Sequence, residues 1–166
     1  MQWAWTCRCC GKQFDTLPLD WCWEAPFHWP AEPSRELGDK LDDHFCAVGE
    51  HRFVRGCLEI PIVGTNDLLV FGVWGSLSQT SFERVVSTWS SDDGEGESFF
   101  SWFSNRLPET LYPDTLSLQC RVHLRGRTTR PRIELAPTDH PLAVEQRHGI
   151  SIDRVIEIAT ALMPRH

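Results

Sequence analysis

The run from Thr115 to Arg125 constrains this chain's fold more than any other segment. Leu116, Leu118, Cys120, Val122 and Leu124 alternate there with Ser117, Gln119, Arg121, His123 and Arg125. A period of two predicts a strand with one buried and one wet face, as antiparallel sheets commonly have. Arg132–Ala136 follows as its hairpin partner. Upstream, Phe45–Val48 and Arg52–Ile62 read as strands joined at Gly49-Glu50, and Leu68–Leu77, apolar almost throughout, reads as a central strand. Residues 3–9 alternate Trp and Cys with smaller or polar residues, as a short strand entering a turn at Cys10-Gly11-Lys12. Four helices are predicted. Ser34 caps a short one to about Leu41, and Thr80 and Glu83 have capping-box spacing before Phe82, Val85, Val86 and Trp89. Asp139 caps a third, with Pro141 in its first turn and Gly149 at its end. Ser151 starts the last, with an apolar stripe of Ile152, Val155, Ile156, Ala159 and Met163. Hairpins without strand–helix alternation define the expected class as α+β: a mainly antiparallel sheet of about six strands, packed on one face by three or four helices.

A length of 166 residues suits a single domain, 1–166. Residues 1–33 form a small cysteine knuckle and a loop holding Pro18, Pro26, Pro30 and Pro33, pinned by Trp21, Trp23 and Trp29; residues 34–166 form the α+β body. Eight Trp and nine Phe supply a core and exclude disorder over the whole length. The net charge of −7 argues against generic binding to nucleic acid or anionic membranes and suits a basic protein partner. No run approaches the roughly 18 apolar residues of a membrane span. The start lacks the pattern of a secretory leader, so the expectation is a cytoplasmic protein with reduced cysteines. Seven cysteines, three of them within four positions, also make a poor disulfide framework.

Cys7-x-x-Cys10-Gly11-Lys12 is the strongest local motif. Two thiolates two residues apart on a tight turn can face one ion, and structural zinc takes four such ligands, usually from two knuckles. A second knuckle is missing. Cys46 and Cys57, which flank the Gly49-Glu50 turn, are the first candidates to complete the site, with Cys9, Cys22, His28 and His44 in reserve. Zinc is therefore the expected cofactor, in a structural role. A redox pair lacks its βαβ context, and reduced cysteines filling a core are the plain alternative.

Several longer segments carry a resemblance: Arg55-Gly56-Cys57-Leu58-Glu59-Ile60-Pro61-Ile62, Trp74-Gly75-Ser76-Leu77-Ser78, Tyr112-Pro113-Asp114-Thr115-Leu116, and the run from Arg130 to Arg147. Together with the knuckle they resemble DUF2199, a bacterial family of unknown function, over nearly the whole chain. The resemblance implies a one-domain bacterial protein with no established activity and an N-terminal metal knuckle. The family pattern often has a histidine four residues after the second knuckle cysteine, where this chain has Phe14. If that histidine is a ligand elsewhere, the site is altered or lost here, and Cys9 or Cys57 would substitute.

Two further groups stand out. Asp139, His140, Glu145, Arg147 and His148 crowd into ten residues, and a carboxylate beside a histidine is the material of acid–base catalysis. No nucleophile elbow, phosphate loop or paired-carboxylate motif accompanies them, and capping or solvent exposure accounts for most members. Arg121, His123 and Arg125 share the wet face of one strand, continued by Arg127, Arg130 and Arg132. Arginines at this density can grip phosphate or carboxylate, or form a solvated face neutralised by neighbouring acids. The candidate binding residues are Arg121, Arg125, Arg130 and Arg147. The expected function is a non-catalytic, zinc-stabilised acidic interaction protein, of immunity or antitoxin type, binding a protein partner. The alternative is a small zinc-dependent or acid–base hydrolase using Asp139, His140 and Glu145.

Overall fold

The computed structural model describes residues 4–127 and 129–164; Trp3, at the start of the first expected strand, lies outside them. β1 (Trp5–Thr6) and β2 (Gln13–Phe14) form a small antiparallel sheet. The main sheet has eight strands: β3 (Asp20–Cys22), β4 (Lys40–Leu41), β5 (Phe45–Val48), β6 (His51–Pro61), β7 (Leu68–Leu77), β8 (Ser98–Trp102), β9 (Gln119–His123) and β10 (Arg132–Leu135). Among the described residues three helices accompany it: α1 (Gln79–Thr88), α2 (Pro141–His148) and α3 (Ile152–Leu162). The order is β3-β7-β6-β10-β9-β8, with β4 and β5 attached beside β6. β3–β7 and β10–β6 run parallel, so the class is α+β as expected but the sheet is mixed and larger than six strands.

The long hairpin of β6 and β7 runs in register from Arg52↔Leu77 to Pro61↔Leu68. Its inner face, Val54, Leu58, Ile60, Leu69, Phe71 and Val73, is fully buried. β9 and β10 pair as expected, Cys120 against Leu135 and Val122 against Ile133, with all four side chains inside. β9 is shorter than its alternating sequence. Ser117 adopts a positive φ of 66°, and the buried Thr115 hydroxyl donates to Asn105 O and accepts from Leu107 N, so the first third of the run is a turn.

β8, which the sequence did not announce, curls the sheet back on itself. Phe103 bridges Gly75, Ser104 N donates to Trp74 O at 2.9 Å, and Trp102 N donates to Ser76 Oγ at 3.0 Å. Glycine at 75 is required by this approach, because a Cβ there would collide with the Ser101 hydroxyl. Phe99 and Phe100 sit side by side on opposite faces of β8, so the segment lacks a legible period of two.

The Pro/Trp-rich loop is held by backbone pairing that includes β3. Trp23 N donates to Gly72 O at 2.8 Å, and Trp23 O accepts from Arg55 Nη2 at 2.7 Å and Trp74 Nε1 at 2.9 Å. Buried Asn105 ties the same loop down, accepting from Trp74 N and donating to Ala25 O. The helix expected from Ser34 to Leu41 is instead a turn followed by β4. Gly38 takes φ 83° and Leu37 is 72% exposed, so no apolar stripe exists to dock a helix. α1 is capped by Ser78, two residues before the expected Thr80, and α3 is capped by Ser151, as expected.

Candidate metal centre

The knuckle grows out of β1. Cys7 N donates to Lys12 O and Gly11 N to Cys7 O, both at 2.9 Å, and Gly11 adopts φ 72°, a left-handed conformation glycine takes without steric strain. This turn gathers the sulfurs of Cys7, Cys9 and Cys10 within 4.8 Å of one another. Thiolates 2.3 Å from a tetrahedral zinc lie about 3.8 Å apart, so the group has the size of a metal site. Cys7 and Cys9 approach to 3.0 Å. That contact favours the Cys7 thiolate, whose pKa falls to about 6, while the Cys9 thiol rises to about 11. The pair can thus hold one proton between two sulfurs, and a cation bound there would displace the remaining protons.

The knuckle is docked rather than free. Cys7 is buried with Trp5 and Leu17 in the main core. Trp5 Nε1 donates to Thr16 O at 2.8 Å, and Trp5 stacks on Phe14 with centroids 5.1 Å apart. Arg8 N reaches Thr160 Oγ1 at 3.4 Å, and the Arg8 side chain lies 3.6 Å from Asp153, both on α3.

Cys7 and Cys10 therefore come together as expected, and Cys9, held in reserve on sequence, is the third member. Cys46 and Cys57 do not join the group among the described residues. Although they bracket one turn, Cys46 pairs with Phe53, which leaves Cys57 four residues, or about 13 Å, further along the strand. Cys46 is enclosed by Phe53 and Trp74, and burial pushes its thiol up to about 12. Cys57 sits in a cross-sheet row with Gly72 and Cys22, its pKa raised by burial. His28 stacks on Phe53 and His44 lies against Trp89, both at 5.2 Å.

The 139–148 cluster is engaged in structure. His140, not Asp139, caps α2: its Nδ1 accepts from Leu142 N at 3.1 Å, and its Nε2 lies 3.2 Å and 3.1 Å from the carbonyls of Pro113 and Asp114. With Pro141 opening the helix, the residue immediately before it holds the cap position, and Asp139 stands one residue outside, exposed. Glu145 accepts from the Tyr112 hydroxyl at 2.6 Å and from Arg154 Nε at 2.8 Å. Arg154 also donates to Leu111 O and lies 5.0 Å over the Tyr112 ring. Burial, and then the charge of Glu145, push the Tyr112 hydroxyl well above its ordinary pKa. Arg154 and the bond of Tyr112 to Glu145 escaped the sequence reading because these contacts link a loop and two helices, with no periodic spacing to mark them.

The arginine face divides in two. Arg125 makes a two-oxygen ion pair with Glu59 at 3.0 Å and donates to Arg130 O, and both arginines line a cavity of about 130 Å³ with Arg127 and His44. Arg121 donates to Ser98 Oγ and Arg147 to Thr138 O, each at 3.0 Å, and these two line a separate cleft.

Fold and site together define an α+β protein with a mixed, curled sheet and a three-thiol knuckle docked on its last helix. The chain belongs to the DUF2199 family, described as an uncharacterized protein conserved in bacteria, whose model matches residues 6–150. No curated protein and no solved structure matches the chain. Among the described residues, no helix is long and apolar enough to cross a membrane.

Proposed function

We propose that the chain is a non-catalytic binding protein that folds as one unit, with zinc stabilising its knuckle, and that it docks a protein partner through an aromatic ridge on β8. The ridge is the observation that carries this reading. Phe100 and Trp102 project from the outer face of β8, 48% and 44% exposed, in an edge-to-face pair 5.0 Å apart. Exposed aromatics of this kind are enriched in the energetic centres of protein interfaces. The chain's charge of −7 favours a basic partner, as in an immunity or antitoxin-like role. The hydrolase alternative has less support, because both ring nitrogens of His140 and both carboxylate oxygens of Glu145 are already engaged.

Three clustered cysteines support zinc as the ion, with thiolate as its preferred ligand. Elemental analysis after purification without added metal should find about one zinc per chain. Cys9→Ser should lower that content and Cys46→Ala should leave it unchanged. The partner reading is tested by capture from bacterial lysate with wild-type and Trp102→Ala protein. One partner retained by wild type and lost by the variant is expected; identical capture by both would end the claim for the ridge.

A further inference from the structure

We infer that the cleft flanked by Phe100, Arg121 and Arg147 is a binding site for a small amphipathic monocarboxylate, an apolar body carrying one carboxylate. The cleft has a volume of about 430 Å³, within the range of small-molecule sites. Its wall is formed by Leu135, Ala136 and Pro137, with Phe100 on the rim, so it offers an apolar body somewhere to lie.

The charge around it is opposite to that of the chain. Arg121, Arg132 and Arg147 line the cleft against a single acid, Glu134. Arg132 is neutralised by Glu134 at 3.0 Å. Among the described residues Arg121 and Arg147 are not: their partners are the Ser98 hydroxyl and carbonyl and the Thr138 carbonyl, all neutral acceptors. Arg84, Arg125 and Arg154 elsewhere in the chain each meet a carboxylate at 3.0 Å or less. Two guanidiniums with donors to spare therefore border an apolar cleft, and planar carboxylates are what such forks bind in bidentate fashion. Arg132 and Glu134 cancel one another, which leaves Arg121 and Arg147 as the charges that act on a ligand. The inference needs neither the metal nor the protein partner. Trp102 does not line this cleft, so Trp102→Ala separates a failure of the ridge from a failure here.

The test is calorimetric titration of the whole chain, as purified, with decanoate, 2-naphthoate and decanol. Saturable binding of one carboxylate is expected, and which of the two binds better tells an aliphatic ligand body from an aromatic one. Decanol, which keeps the chain and lacks the charge, should bind at least about tenfold more weakly than decanoate. Arg121→Ala with Arg147→Ala should weaken carboxylate binding by about tenfold or more while leaving the melting temperature near wild type, since both side chains are exposed. Arg147→Gln alone provides the same comparison if the double variant folds poorly. Undiminished carboxylate binding by the variants, equal binding of decanol, or no saturation up to about 1 mM for either carboxylate would overturn the assignment.

Discussion

Gln146 stands in for a missing strand beside Leu135. Its Oε1 accepts from Leu135 N at 2.8 Å and its Nε2 donates to Ile133 O at 2.9 Å, both bonds buried. β10 is paired along one side by β9, but on the other, among the described residues of the strand, only Arg132 reaches β6. The remaining edge faces α2, where an unpaired backbone N–H or C=O would lie in the core. Gln146→Ala should destabilise the protein by about 2–4 kcal/mol, because two buried backbone groups lose their partners together. Urea denaturation giving a loss below about 0.5 kcal/mol would show that water replaces the amide.

His140 takes the cap role that the sequence suggested for Asp139. His140→Ala should cost about 0.5–2 kcal/mol, the usual cost of losing a helix cap. Asp139→Asn and Asp139→Ala should leave thermal stability near wild type, since that side chain is exposed and outside the cap. A larger loss from Asp139→Ala than from His140→Ala would reverse the assignment.

Tyr112 donates to a carboxylate that is already ion-paired. Tyr112→Phe keeps the buried ring and its contact with Arg154 but removes one charge-assisted bond to Glu145. A loss of about 1.5–3 kcal/mol is expected in chemical denaturation. Glu145→Ala should cost more, because it removes the partner of the hydroxyl and one of the two carboxylates that meet Arg154.

Asp39 gives the chain an acid-sensitive joint. Its two carboxylate oxygens accept from Ser34 N at 2.9 Å and Gly49 N at 3.0 Å, and these bonds hold its pKa below the ordinary 3.8. A depressed folded pKa contributes stability that is fully present above the unfolded value and lost as pH falls from 3.8 through the folded one. Melting curves across that range should therefore fall more steeply for wild type than for Asp39→Asn, while at neutral pH the variant is the less stable of the two. Parallel curves would show that the carboxylate is not coupled to folding.

Thiol reactivity should follow burial. Cys120 is 2% exposed and burial pushes its pKa to about 12, as it does for Cys46. In native protein at about pH 8, exposed Cys22 should label quickly, whereas Cys120 and Cys46 should label only on unfolding. Rapid modification of Cys120 without loss of structure would contradict its place in the core.

The strands β6 and β7 and the helix α3 were legible because their apolar patterns are long, whereas the pairing of β6 with β7 was not. β3 was not, because Asp20–Cys22 joins the sheet by parallel pairing with Val70–Gly72, and a pair made across that distance leaves no local signature. Ser34 looked like a helix cap, and its hydroxyl does accept from Leu37 N at 3.3 Å, but in a turn too short to continue. The knuckle was readable from spacing alone, including Cys9 as a reserve. Cys46 and Cys57 were misplaced because their closeness in sequence across a hairpin says nothing about register. Arg121 and Arg147 share a cleft only because β10 packs next to α2, which is tertiary information.

The bridge between Gly75 and Phe103 also bears on how the protein behaves at high concentration. The two longest strands, β6 and β7, are covered along both sides, β6 by β7 with β5 and β10, β7 by β6 with β3 and the end of β8. Among the described residues, the order ends at β3 and β8, with β4 hanging from β5; these strands are three, five and two residues long, and β8 is tied back to β7 just past its end. Short edges give another chain little backbone to copy, so stacking into fibrils would first require the sheet to uncurl at that bridge.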